Sequence, residues 1–302
     1  MKYLYRSVLS LLFYFLLIGF TDSAKAQDNT HNWQLGLGIG YTNYYGDLSN
    51  YRIHGGNELY KIYRFANYNS HYQHQPSFSL LLQKKITPTL GIMFQANYLQ
   101  FSMSDRYIKN NGSLDSSSGS FSRSLNFQNT MQDVGLAFTF SPNNGKIGSE
   151  KAFFYPSFYL GVGVSKFVIK GDLYDANNNP YNYRLPGNIN DGNYETNLRD
   201  LRSESDSKFQ DVEPYVDLGL ALNFRISQLL SIAIHSDIKY SASDQLDNVS
   251  GIYKPSYPTA AEAYAARPGY NAVNPVTMQR GDNNGVNDIY INNRIVLNIA
   301  LS

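Results

Sequence analysis

The sequence predicts an all-β protein: an eight-stranded antiparallel transmembrane β-barrel of up-and-down order, with four long extracellular loops and short periplasmic turns. Three observations predict it. Eight segments alternate apolar with polar or small residues. The connections between them alternate long and short. A secretory signal opens the chain, and no later segment is apolar enough for a transmembrane helix.

The signal is read over residues 1–26. Lys2 and Arg6 give a positive start, and Ser7 to Phe20 forms an apolar core. Ala24-Lys25-Ala26 is an A-x-A cleavage site, so the mature barrel domain is expected to be 27–302. The apolar run is short for an uncleaved membrane anchor. The chain has no Cys, which excludes a lipoprotein anchor, disulfides, thiolate metal sites and a Cys nucleophile. The whole chain carries +1. Lys2, Arg6 and Lys25 against Asp22 put +2 of charge in the signal, leaving −1 for the mature chain. That is no footprint for nucleic acid. With 26 Tyr, 17 Phe and 23 Gly and a mean hydropathy of −0.38, the mature chain has the composition of a β protein.

The first strand is Trp33 to Tyr44, with Trp33, Leu35, Leu37, Ile39 and Tyr41 outward and Gln34, Gly36, Gly38, Gly40 and Thr42 inward. The second is Ser77 to Ile86, showing Phe78, Leu80, Leu82 and Ile86 outward. The third, Leu90 to Phe101, shows Leu90, Ile92, Phe94, Ala96 and Tyr98. The fourth, Asn126 to Phe140, shows Val134, Leu136, Phe138 and Phe140. The fifth, Phe153 to Ile169, shows Phe158, Leu160, Val162 and Val164. The sixth is Pro214 to Ser227, with Val216, Leu218, Leu220, Leu222, Phe224 and Ile226 outward. The seventh, Leu229 to Tyr240, shows Leu230, Ile232, Ile234 and Ile238. The eighth, Ile289 to Leu301, shows Ile289, Ile291, Ile295, Leu297, Ile299 and Leu301. An even count suits antiparallel closure, and each segment is long enough for a tilted strand to cross the hydrocarbon.

The segments 45–75, 102–122, 170–211 and 241–288 are long, and 87–89, 141–151 and 227–228 are short or moderate. Long loops outside and short turns in the periplasm are the habit of outer-membrane barrels. A soluble barrel with its apolar face inward would also alternate. Its outer face would need the lysines and glutamates of a solvated surface, and the faces opposite these apolar rows are mainly Gly, Ala, Ser and Asn.

The inward set includes a charge network of Asp133, Glu213, Asp217, Arg225, His235, Asp237, Lys239 and Arg294. In a lumen this narrow, side chains fill the space, so paired charges plugging the bore are expected rather than a proton or ion path. A three-residue turn at Ser227–Leu229 sets Asp217 opposite Lys239. The neighbouring register opposes Asp217 to Asp237, which repulsion disfavours.

No cofactor is expected. His71 and His74 point to opposite faces of an extended segment and make a poor metal pair. No His, Ser and acid group is fixed as a catalytic set by spacing. Arg280-Gly281-Asp282 is a three-residue match to an integrin-binding motif, and such matches arise by chance. The acidic run Asp282 to Asp288 fails the order of a calcium loop and reads as a turn. Thr259-Ala-Ala-Glu262 is a capping box that starts a short helix, Ala260 to Ala266, and Arg267-Pro268-Gly269 stops it. Asn57 to Ala66 reads as a second loop helix.

The stretch WQLGLGIGYTNYYGDLS, Trp33 to Ser49, resembles the opening strand of a family of small outer-membrane barrels from bacteria with type IX secretion. These are the PorG-like proteins and a related domain-of-unknown-function group. QLDNVSGIY, Gln245 to Tyr253, and RGDNNGVNDIY, Arg280 to Tyr290, resemble that family's last outer loop and entry to its last strand. The resemblance implies a non-catalytic barrel in the cell outer membrane, often within a larger envelope assembly. Two features depart from relatives of this kind: no peptidoglycan-binding domain is seen after the eighth strand, and the chain ends Ala300-Leu301-Ser302 rather than on an aromatic residue. The partners expected are outer-membrane lipids including lipopolysaccharide, and proteins of a secretion or envelope complex. An enzyme acting on lipid A or peptides, or a narrow solute channel, are the alternatives.

Overall fold

A computed structural model describes residues 33–48, 75–87, 89–106, 114, 116, 121–142, 152–183, 185, 187–188, 190–204, 210–269, 279–281 and 287–301. The signal, the expected Asn57–Ala66 helix, the His71 and His74 pair, Asp282 and most of the calcium-like run lie outside them. The strands are β1 (Trp33–Tyr45), β2 (Ser77–Lys85), β3 (Leu90–Ser104), β4 (Asn126–Phe140), β5 (Phe154–Gly171), β6 (Thr196–Asn197), β7 (Val212–Arg225), β8 (Leu230–Ser241) and β9 (Ile289–Leu301). Each barrel strand pairs antiparallel with its chain neighbour, β5 passes over β6 to pair β7, and β1 pairs β9 to close the ring. Eight strands therefore make the barrel. β6 is a two-residue pairing to Lys170 and Gly171 inside the loop after β5.

The registers fix the barrel's shape. A walk from Leu35 across paired residues passes Leu82, Phe94, Leu136, Val162, Val216, Tyr240 and Ile289, and returns to β1 at Tyr45. The ring closes ten residues further along β1, which is the shear of the barrel. With ordinary strand spacing and rise, that shear tilts the strands by about 40°. Asp217 lies opposite Lys239, the register expected from the charges.

The two shortest turns use one device. In the β2–β3 turn, Thr87 Oγ1 accepts from Leu90 N at 2.9 Å, and the N–H groups of Ile86 and Thr87 donate to Leu90 O. In the β7–β8 turn, Ser227 Oγ accepts from Leu230 N at 3.1 Å, and Ile226 and Ser227 donate to Leu230 O. A hydroxyl at the first turn position thus satisfies an N–H that the tight bend leaves without a strand partner.

The outer surface is an apolar belt. Leu37, Ile39, Leu80, Leu136, Leu160, Val162, Leu218, Ile234 and Ile295 all stand exposed. Aromatic residues mark both edges: Trp33, Phe140, Phe153 and Phe154 near the short turns, and Phe78, Tyr98 and Tyr240 toward the long loops. Lys84 Nζ sits 5.0 Å from the Trp33 ring. Such a belt between aromatic girdles is the surface that lipid demands, and closure pairs the backbone polar groups that hydrocarbon cannot solvate. The chain is a transmembrane β-barrel, the build of outer-membrane proteins.

Two expectations need correction. The alternation aims Ile289 and Ile291 at lipid. They keep the outward parity but are buried in a small cluster with Tyr45, which pairs with Ile289 where β1 and β9 rise toward the loops. The same alternation predicts an inner face that is small and polar. Toward the loop end it instead carries Leu99, Phe101, Met103, Phe127, Met131, Phe167 and Ile169, packed as one apolar cluster with loop residues Leu48, Leu173, Leu198, Leu246 and Val249. Tyr44 stacks on Phe101 with ring centroids 5.3 Å apart. A second cluster, with Leu81, Met93, Ala137, Tyr159 and Val296, lies nearer the short turns. The interior therefore has charge between two apolar layers.

Candidate functional site

The charged layer is built by inward positions on four strands. Alternation aims Asp133 of β4, Asp217 of β7, His235, Asp237 and Lys239 of β8, and Arg294 of β9 into the bore, and all six are buried. Lys239 Nζ lies 2.7 Å from Asp133 Oδ2 and 3.7 Å from Asp237 Oδ2. Arg294 lies 3.1 Å from Asp237 Oδ1 and donates to Asn97 Oδ1 at 3.0 Å. Tyr159 OH donates to Asp237 Oδ1 at 3.1 Å, and Gln95 donates to Asp217. The Lys239 ammonium also sits over the Tyr215 ring, 4.7 Å from its centre. His235 Nδ1 is 3.4 Å from the Tyr159 hydroxyl.

The strand neighbour of Lys239 is Asp217, yet its ion pairs go to Asp133 and Asp237. A lysine stem is long enough to cross a bore this narrow. Glu213 and Arg225, also named from the sequence, stay outside the layer. Both are half-buried, at opposite ends of β7, and Arg225 Nε donates to Ser227 O at the short turn. Gln95, Asn97, Tyr159, Tyr215 and Tyr290 belong to the network and had no motif to announce them. Their signal is polar or phenolic side chains on inward parity at the depth of the charges.

Above the apolar plug, the loops are tied to one another by buried polar groups. Asp247 accepts from Leu48 N at 3.0 Å and Val249 N at 2.8 Å. Asp288 accepts from Leu246 N at 2.7 Å and Tyr44 OH at 2.8 Å. Glu204 pairs with Arg280 at 2.7 Å and accepts from Ser250 N at 2.7 Å. Arg123 pairs with Asp105 at 2.7 Å and donates to Asp47 O at 3.1 Å. Arg280 Nε donates to Ala266 O at 3.1 Å, which ties in α1 (Ala260–Ala266). This helix has the expected bounds and the expected cap, with Thr259 accepting from Glu262 N at 3.2 Å.

Burial sets the protonation of this cap. It pushes the carboxyl of Asp247 well up, helped by the charge of Asp47. Asp288 is also pushed well up by burial, with Asp247 adding to it. Asp172 in the loop after β5 is raised to about 6 by burial, against a hydrogen bond from Gly192 N. Glu204 goes the other way: burial opposes its charge, but Arg280 and the Ser250 donors prevail and lower it.

Among the described residues no group of His, Asp and Glu has the arrangement of a metal site. His235 is the described histidine, and its contacts are those of a packed lumen residue. His31, His54, His71 and His74 lie outside the described residues.

No protein-family model matches the chain. No curated protein matches it either. Among solved structures it is similar to Neisserial surface protein A, at 7% identity and a TM-score of 0.37, over 89% of this chain and 97% of that one. It is similar to a major outer membrane protein of Thermus thermophilus, at 10% identity and a TM-score of 0.37, over 90% of this chain and 100% of that one. The outer membrane protein OprG of Pseudomonas aeruginosa aligns at 11% identity with a TM-score of 0.33, over 88% of this chain and 93% of that one.

Proposed function

We propose that this chain is a non-catalytic outer-membrane barrel that works through its outer surfaces, as a structural or docking component of an envelope assembly. The observation that carries this reading is the interior. Ion pairs from Lys239 to Asp133 and from Arg294 to Asp237 fill the bore between two apolar layers, and the loops are buttoned over one mouth. On this reading the interior holds the barrel together rather than lining a path for solute. The cap offers partners something to grip: Ile252 is 60% exposed and Leu185 55% exposed on otherwise tied loops. Order in a long loop is what a docking surface needs, since little entropy remains to be lost on binding.

The finer reading, a place in type IX secretion, rests on the resemblance of Trp33–Ser49, Gln245–Tyr253 and Arg280–Tyr290 to the PorG-like family. The test is purification of the tagged full chain from outer membranes in mild detergent, with mass spectrometry of what accompanies it. Stoichiometric envelope or secretion components support docking. A clean monomer that alters lipid A or cleaves peptides when assayed favours an enzyme and overturns the proposal.

A further inference from the structure

The outer wall of the barrel is not uniform. A groove of about 740 Å³ runs along β4, β5 and β7 on the lipid-facing side. It is lined by Val134, Leu136, Val162, Val164 and Val216, together with Phe94 and Tyr240. Alternation places the four valines and Leu136 on neighbouring outward positions of β4, β5 and β7. The groove is lined almost wholly by apolar atoms, the chemistry of a hydrocarbon chain.

Directly above it on β5, the next outward positions after Val164 are Lys166, Val168 and Lys170. Both lysines are exposed, and among the described residues neither ammonium has an ion-pair partner. Their cross-strand neighbours on β4 are neutral: Gln132 faces Lys166 and Gln128 faces Lys170. Lys166 stands just beyond the level of Tyr98, whose strand pairs with Gln132, and so lies past the aromatic edge of the belt on the loop side. That is where lipid headgroups begin. An exposed ammonium there has the right charge and depth for a headgroup phosphate, and its stem can lie along apolar surface.

We propose that this face is a binding site for a phosphorylated lipid of the outer leaflet, with an acyl chain in the valine-lined groove and a headgroup phosphate at Lys166, extended outward by Lys170. The inference rests on the outer-membrane reading given above and names one ligand of that surface. Groove and cations together select an amphiphile. A soluble anion leaves the groove empty, and an apolar peptide leaves the lysines without a counter-charge. Lipid A is the outer-leaflet lipid that carries both parts.

The test uses the full chain folded in detergent, in three forms: wild type, Lys166→Ala with Lys170→Ala, and Val164→Phe, which fills the groove and leaves both lysines. Native mass spectrometry then reads retained lipid after addition of lipid A, dephosphorylated lipid A or phosphatidylglycerol. Heat-modifiable gel migration of each form reports barrel folding separately. A wild type that fails this control contradicts the membrane-barrel reading itself. The site predicts at least tenfold weaker retention of lipid A by both variants, and weak retention of dephosphorylated lipid A by the wild type. Equal retention by all three folded proteins overturns it. Preference for phosphatidylglycerol over lipid A overturns the choice of ligand.

Discussion

At the scale of single residues, the sequence showed which charges face inward but not which of them meet. Alternation places a residue on a face, and a turn length places it opposite a neighbour. Neither measures how far a side chain reaches across the bore. The expected opposition of Asp217 and Lys239 is present, while the close ion pair of Lys239 is with Asp133 on β4. Breaking that pair should be costly, because it strands a carboxylate where water cannot reach. Lys239→Met is expected to lower stability by about 3–5 kcal/mol, read from urea unfolding in detergent. The double change Lys239→Met with Asp133→Asn should cost clearly less than the two single changes summed. Additive costs would mean that the two side chains do not interact. The loop acids give a second prediction. Asp247, Asp288 and Asp172 are all raised in the folded protein. The folded cap therefore binds protons more readily than the unfolded chain. Its stability is full below the ordinary aspartate range and falls as pH rises through the shifted values, for Asp172 up to about 6. Hydrogen exchange of the 244–251 backbone, corrected for its intrinsic pH dependence, should be slower at about pH 5 than at about pH 8. Asp247→Asn should reduce the difference. Glu204 has the opposite sign, so its pair with Arg280 weakens only in more acidic solution.

At the scale of elements, strands were legible because lipid imposes a stricter pattern than water does. An outward position within the belt must be apolar, so the period of two is clean across the belt part of β4 and β7. The pattern fails where both faces are apolar. In Leu99-Gln-Phe101-Ser-Met103 the large residues are on the inward side, under the loops, and belong to the plug. Ile289 and Ile291 continue the outward row in sequence, yet cluster with Tyr45. Hydrophobicity alone does not say whether a side chain is covered by lipid or by protein. The short helix was legible because a capping box is a local signal. The buried loop salt bridges were not, because Arg280 and Glu204 are 76 residues apart in the chain. Ser227→Ala removes the acceptor for the Leu230 N–H and should cost about 1 kcal/mol, measured as a shift in urea midpoint at unchanged slope. Gly219→Ala puts a methyl against the Tyr159 ring inside the barrel. Overpacking of this kind is expected to cost about 1–3 kcal/mol in the same assay, while Gly187→Ala, where a Cβ meets open space, should cost far less.

At the scale of the whole molecule, two opposite surfaces are made by one rule. Lipid requires an apolar outside, closure requires eight tilted strands, and the narrow bore that results must be filled from within. Among the described residues, the apolar plug, the charged layer and the second apolar layer occupy it, and loop residues pack over the plug at one end. On the proposed reading, the interior contributes stability, and recognition falls to the lysine-topped groove and the loop cap. This division of roles requires a closed bore. The measurement that tests it most directly is conductance of the purified full chain in planar lipid bilayers. A closed bore predicts no stable current steps from the wild type. Steady, reproducible single-channel steps from the wild type would contradict it and make the charged layer the lining of a pore.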